Sequence, residues 1–98
     1  MTRLRLVVLV LLGLGLAAPA GADLWRQDLA AARVEARRSG QPLFLYFDAA
    51  WCSWCHRYER QTLSDPQVRR VLAERTVPVR IDWDARPDLV HRYGGRGL

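Results

Sequence analysis

The sequence predicts an α/β fold built on a parallel pair of strands, and three observations predict it. Leu43-Phe44-Leu45-Tyr46-Phe47 is an unbroken apolar run, as expected of a strand buried on both faces of a parallel sheet. Residues 76–83 alternate apolar with polar side chains, the period of a second strand. Helix signals lie between the two runs, so the chain crosses over, and such a crossover between parallel strands is right-handed.

The elements follow in order. Asp23 is placed to cap a helix over 24–39, in which Trp25, Leu29, Ala32 and Ala36 recur at steps of four, three and four along one face. Gly40 ends that helix and Gln41-Pro42 breaks away from it. After the apolar run, Ala49-Ala50-Trp51 leads into a second helix over 52–61. Ser64-Asp65-Pro66 starts a third over 66–74, with proline at the first helical position and Val68, Val71 and Leu72 facing inward. In the second strand Val77, Val79, Ile81 and Trp83 point one way, while Thr76, Pro78, Arg80 and Asp82 point the other. Pro78 has no amide to donate, so it belongs at a strand margin or on an unpaired edge. A short last helix over 84–93 stops at Gly94-Gly95. There are no repeats and no low-complexity linkers.

Ninety-eight residues make one domain at most, and a 50% hydrophobic content is too high for a disordered tail. Residues 1–22 read as a secretory signal peptide. Arg3 and Arg5 form a positive start, 6–16 is an eleven-residue apolar stretch, and Ala18-Pro19-Ala20 or Ala20-Gly21-Ala22 offers a cleavage site. Eleven apolar residues are too few to span a bilayer, which takes roughly 20. The competing readings are an uncleaved membrane anchor facing the periplasm, which would be the chain's only membrane contact, or a buried core helix. No cysteine near the cleavage site offers a lipid anchor. The formal charge of +5 comes entirely from arginine, since the sequence has no lysine; it also has no asparagine and one isoleucine, Ile81. This skew is compositional bias. Residues 23–98 keep thirteen arginines against ten acids, a net +3, scattered as in Arg33-Val34-Glu35. Solvated helix faces account for such a pattern, and a nucleic-acid partner does not.

The only two cysteines, Cys52 and Cys55, open the second helix within Trp51-Cys52-Ser53-Trp54-Cys55-His56. In an exported protein, C-x-x-C after a hydrophobic strand is a redox motif. The spacing brings the sulfurs within disulfide reach and leaves Cys52 at the exposed end, with Cys55 one turn deeper. Free amides and the positive end of the helix dipole stabilise a Cys52 thiolate, each pKa unit corresponding to about 1.4 kcal/mol. Cys52 then attacks a partner disulfide and Cys55 resolves the mixed disulfide; reversed, the same chemistry oxidises a dithiol.

The segment from Phe44 to Cys55 resembles the strand-to-active-site region of the thioredoxin superfamily. The stretch Glu59-Arg60-Gln61-Thr62-Leu63-Ser64-Asp65-Pro66-Gln67-Val68 is similar to the C-terminal thioredoxin-like domain of bacterial thiol:disulfide interchange proteins and of related exported single-domain proteins. The resemblance covers 24–98. It implies a thioredoxin-like α/β fold, protein-disulfide reductase activity in the periplasm, protein thiols and disulfides as partners, a membrane electron donor, and no cofactor. It assigns Cys52 as nucleophile, Cys55 as resolving thiol and Trp51 as the ring flanking them.

Two departures stand out. The family often carries a buried acid six residues before the first cysteine, and Tyr46 stands there; Asp48, two residues on and on the same strand face, is the candidate substitute, against a plain strand-end turn. The family also faces its cysteines with a cis-proline loop. Residues 94–98 look like the approach to that loop, so the expected loop, two further strands and last helix are absent. The sequence therefore reads as an incomplete, N-terminal helix-plus-βαβα portion of the fold over 23–98, a fragment marginally stable alone.

Rival readings use the same residues. Cys52-x-x-Cys55-His56 also spells a c-type haem attachment motif, but Met1 is the only methionine and a βα lead-in suits no helical cytochrome. Zinc held by Cys52, Cys55, His56 and His91 would need an unfamiliar ligand spacing. A redox-inert binding module with a structural disulfide is the non-enzymatic alternative. Without haem, His56 is a surface residue that tunes Cys52 if its ring reaches the sulfur. Arg57 and Arg60 add positive potential or are simply solvated. Trp54 is a contact for the partner's chain or packs on a neighbouring loop, Trp25 and Trp83 belong to the core, and His91 sits favourably at the end of its helix.

Overall fold

The computed structural model describes residues 23–98; the signal-peptide reading of 1–22 lies outside them. The order is α1 (Leu29–Ser39), β1 (Leu43–Asp48), α2 (Ser53–Tyr58), a π-helical turn (Glu59–Leu63), α3 (Pro66–Arg75), β2 (Val77–Asp82) and α4 (Pro87–Arg92). β1 and β2 pair in parallel, from Leu43 opposite Val77 to Asp48 opposite Asp82. Val77 N donates to Pro42 O at 2.9 Å and Trp83 N to Asp48 O at 2.8 Å, so the odd-numbered positions of β2 bond toward β1. The even positions bond outward, to the N-terminal segment. Arg26 N donates to Pro78 O and Arg80 N to Arg26 O, both at 2.9 Å. Pro78 lies in this outward phase, where its missing N–H removes nothing from the β1–β2 ladder.

The sheet separates two apolar clusters. On one face Phe44 and Tyr46 meet Leu24, Trp25, Ala49, Leu63, Leu72 and both cysteines, under α2, the π turn and α3. On the other, Leu43, Leu45 and Phe47 join Val77, Val79 and Ile81 beneath Leu29 and Ala32 of α1 and Leu89 of α4. Val77 and Val79 are fully buried, each contributing about 1.5–3 kcal/mol relative to an exposed side chain.

Several sequence expectations need correction. The first helix starts at Leu29, capped by Asp28, whose carboxylate accepts from Ala31 N at 3.2 Å; Asp23 instead accepts from Trp25 N. Leu24 and Trp25 are not helical, and Arg26 is drawn into a single strand-like bridge because the outward groups of Pro78 and Arg80 offer it partners. Arg26 also pairs with Glu35 of α1, tying the segment to the helix. β1 is packed on both faces but incompletely: only Tyr46 is fully buried and the other five residues are half-buried, since the side of β1 away from β2 has no strand beside it among the described residues. The second helix begins at Ser53, with Cys52 as its cap, and widens after Tyr58 into a π turn closed by Ser64 N to Glu59 O at 2.9 Å. Of the residues expected inside α3 only Leu72 is buried; Val68 is half-buried and Val71 is 51% exposed. Trp83, just past the strand end at Asp82, touches both sides: it packs against the cluster around the cysteines and stands edge-on to Phe47, 6.3 Å between ring centres, on the side of Ile81. Residues 83–86 turn rather than open the last helix, since the Asp82 carboxylate accepts from Asp84 N and Ala85 N at 2.9 and 3.1 Å.

Two expectations follow for stability, read by urea denaturation of the oxidised protein. Asp28→Ala costs about 1 kcal/mol, and Asp23→Ala, whose carboxylate caps no helix, less than about half of that. Gly95→Ala costs about 1–3 kcal/mol, because the added methyl would meet Val90 Cγ1 at 2.9 Å and two ring atoms of Trp83 at 3.0 Å.

Candidate active site

The site begins where β1 ends. Ala49 O accepts from Cys52 N at 3.1 Å, closing a tight turn that delivers Cys52 to the cap position of α2 with an extended backbone. There Cys52 Sγ accepts the Cys55 N–H at 3.1 Å, and Cys52 O accepts from His56 N at 3.2 Å. The two cysteines are joined in a disulfide, with Cα atoms 5.2 Å apart.

Exposure does not separate the sulfurs as expected. Cys52 is 3% exposed and Cys55 7%. Both belong to the apolar cluster, packed with Tyr46, Ala49 and Leu63, because a disulfide is an apolar group that this face of the sheet readily covers. What distinguishes Cys52 is its position: its sulfur alone receives a free helical amide, the arrangement that favours a thiolate once the bond is reduced.

The rings around the disulfide are open to solvent. Trp51 is 59% exposed, and its Nε1 donates to Asp84 Oδ2 at 2.7 Å, which fixes the ring against the turn after β2. Trp54 is 68% exposed, with the Arg57 guanidinium carbon 5.5 Å from its ring centre. His56 is exposed on α2, and its ring forms no hydrogen bond among the described residues. His91 lies on α4, over the opposite face of the sheet, so the four ligands of a zinc reading are not gathered. Among the described residues no group of three or more His, Cys, Asp or Glu is close enough to hold a metal ion.

Beneath the disulfide lies a charged cluster that sequence reasoning saw only in part. Tyr46, in the place of the family's acid, is buried and donates its hydroxyl to Cys55 O at 3.4 Å. Burial, then the nearby Asp48 and Glu59 carboxylates, push its phenol up to about 12, so Tyr46 keeps its proton at neutral pH. Asp48 shares the face of Tyr46, as its spacing predicts. Its Oδ1 is buried with no hydrogen-bond partner and its Oδ2 lies 3.9 Å from Arg80 Nε. Arg80 pairs with Glu59 as well, and its guanidinium carbon stands 5.5 and 5.6 Å from the Tyr46 and Trp25 ring centres. Arg80 and Glu59 escaped the sequence reading because an alternating strand and an amphipathic helix each send such residues to solvent by default. Asp84 carried a signal in Asp82-Trp83-Asp84, a turn-forming acid just after a strand.

A disulfide at a helix start, packed behind a parallel strand and flanked by open tryptophan rings, defines a redox-type α/β domain. The chain belongs to the thioredoxin-like family, whose model matches residues 24–97. It is 45% identical over 47 residues, 48% of its length, to the thiol:disulfide interchange protein DsbD of Escherichia coli. It is 34% identical over 69 residues to human spermatogenesis-associated protein 20, a match covering 70% of this chain. Each match spans only 8% of the relative's length. Among solved structures, a thioredoxin from Thermus thermophilus superposes with a TM-score of 0.67 at 28% identity, over 78% of this chain and 61% of that one. A DsbH oxidoreductase shares the fold with the same TM-score at 19% identity, over 87% and 68%.

The raised phenol of Tyr46 makes an alkaline prediction. Its proton is held more firmly in the folded chain than in the unfolded chain, where a tyrosine ionises near 10. Its contribution is therefore complete below pH of about 10 and is lost as pH rises from about 10 to about 12. Urea midpoints across that window will fall more steeply for the wild type than for Tyr46→Phe, and tyrosinate absorbance will lose its latest-titrating step in the variant.

Proposed function

We propose that this chain is a protein thiol:disulfide oxidoreductase working as a reductant in the bacterial periplasm. The observation that carries the reading is the position of Cys52 Sγ, on the free Cys55 amide at the start of α2 and bonded to Cys55, in a thioredoxin-like chain. In the reduced form the Cys52 thiolate attacks one sulfur of a partner disulfide. A new S–S bond forms, and the other partner sulfur leaves as a thiolate and takes a proton from water. Cys55, losing its proton, attacks the Cys52 sulfur and expels the second partner thiolate. Two electrons have then passed to the partner, and the chain holds the Cys52–Cys55 disulfide seen in the structure.

Asp48 is the acceptor for the Cys55 proton in this scheme, because it offers a carboxylate oxygen without a hydrogen-bond partner on the face of Tyr46, which is itself no base. Trp51, held by Asp84, flanks the reacting sulfurs; Trp54 meets the partner's chain, and His56 adds a polar group on the exposed side of α2. Regeneration takes two electrons from a donor dithiol, and a membrane protein is the donor class that reaches the periplasm. Export is supported by Arg3 and Arg5, the apolar 6–16 stretch and the small residues ending at Ala22.

Insulin reduction with dithiothreitol as electron source tests the reading. The wild type accelerates precipitation, Cys52→Ser lowers the catalysed rate by about 100-fold or more, and Cys55→Ser accumulates a mixed disulfide visible on a non-reducing gel. Equal rates for wild type and Cys52→Ser would make the disulfide structural and the chain a redox-inert binding module.

A further inference from the structure

The helix that carries the cysteines buries one flank and leaves the other open. Trp54, Arg57, Tyr58, Gln61 and Thr62 line a shallow groove of about 320 Å³ along α2 and the π turn. Their spacing of three, one, three and one is a single helical face, away from buried Cys55 and Leu63. Two partly open aromatic rings stand in this groove, Trp54 at 68% exposure and Tyr58, which leans on Tyr46, at 40%, and Trp54 lies between the two cysteines.

The charge of the groove is of one sign. Arg57 stacks over Trp54 at 5.5 Å, and its Nε donates to Gln61 Oε1 at 3.3 Å, which holds the guanidinium in place. Among the described residues it has no carboxylate partner, as is true of most of their arginines; what sets it apart is the ring beneath it and the Gln61 bond. Arg60 follows on the same stretch. The only acid between Ser53 and Leu63 is Glu59, and it is turned beneath the helix onto Arg80. The pairing with Arg80 therefore keeps the one acid of this stretch out of the groove lining.

We infer that this groove docks an acidic segment of the protein whose disulfide is exchanged, an apolar or aromatic side chain lying against Trp54 and Tyr58 and a carboxylate meeting the free fork of Arg57. The inference rests on the proposed exchange reaction and names its substrate class: cystines flanked by Asp or Glu and a large apolar residue. The stack on Trp54 orients the guanidinium before the partner arrives, so little side-chain freedom is lost on docking.

The test uses the full chain recycled by dithiothreitol with three substrates. Two are cystine peptides of one sequence, with glutamates or lysines beside a phenylalanine; the third is bis(2-hydroxyethyl) disulfide, which has no charge and needs no groove. The expected result is turnover of all three, with kcat/KM for the glutamate peptide about ten-fold above the lysine peptide at low salt. The ratio approaches one at about 1 M NaCl. Arg57→Glu inverts the ratio and Arg57→Gln flattens it; because both peptides meet the same cysteines, any change in the cysteines themselves cancels. A wild-type ratio near one, or an acidic preference that survives both Arg57 variants, overturns the groove while leaving the exchange reaction standing. No turnover of any of the three substrates overturns the exchange reading itself.

Discussion

The parallel pairing of β1 with β2 is the constraint on which the rest of the molecule depends. Parallel strands end at the same edge, and here both ends feed the turns around the disulfide. β1 runs out through Asp48 into the turn that presents Cys52, and β2 runs out through Asp82 into the turn that presents Asp84. The bond from Trp83 N to Asp48 O is the last rung of the ladder, and one step beyond it Trp51 reaches Asp84. Residues more than thirty positions apart thus meet because two strands of equal length start in register. The carboxyl edge of a parallel sheet is where open α/β folds keep their sites, and this domain follows that rule.

A second consequence of the pairing is electrostatic. The register sets Tyr46 beside Arg80, so a tyrosine and a guanidinium occupy the layer beneath the disulfide where the family often has an acid. Arg80 is held by charge from two directions, Asp48 on β1 and Glu59 on the π turn, and by two aromatic faces. Such a cluster couples the sheet to the helix of the cysteines through a single side chain. Pairs as exposed as these are worth little one at a time, so what the cluster contributes is orientation more than stability.

Much of this was legible in the sequence, and the failures are physically specific. The two strands, the cysteine-bearing helix, the Pro66 helix start and the Gly40 stop all rest on local signals, and each stands in the structure. Residues 24–28 misled because Trp25 keeps helical spacing with Leu29 and Ala32, yet hydrogen-bond partners on β2 draw Arg26 into a strand-like bridge. No local pattern encodes an edge waiting fifty residues away. The burial of Cys52 was missed for a related reason: position at a helix start says how a sulfur is solvated by amides, while its cover comes from Tyr46 and Leu63, which only the tertiary fold assembles. Arg80 and Glu59 were invisible as a pair because each lies on the polar side of its own element, and only the crossover turns those sides toward each other.

Pro78 has one more effect. The outer edge of β2, four of whose six residues are buried, is the edge that the chain's own Arg26 covers in part. With a proline in the outward phase, that edge has lost one of its donors, and the chain's own Arg26 takes up the next donor and the adjoining acceptor. What is left is too short and too gapped to template a ladder. A residue that looks like a flaw in a strand therefore leaves this edge with fewer donors to offer a foreign strand.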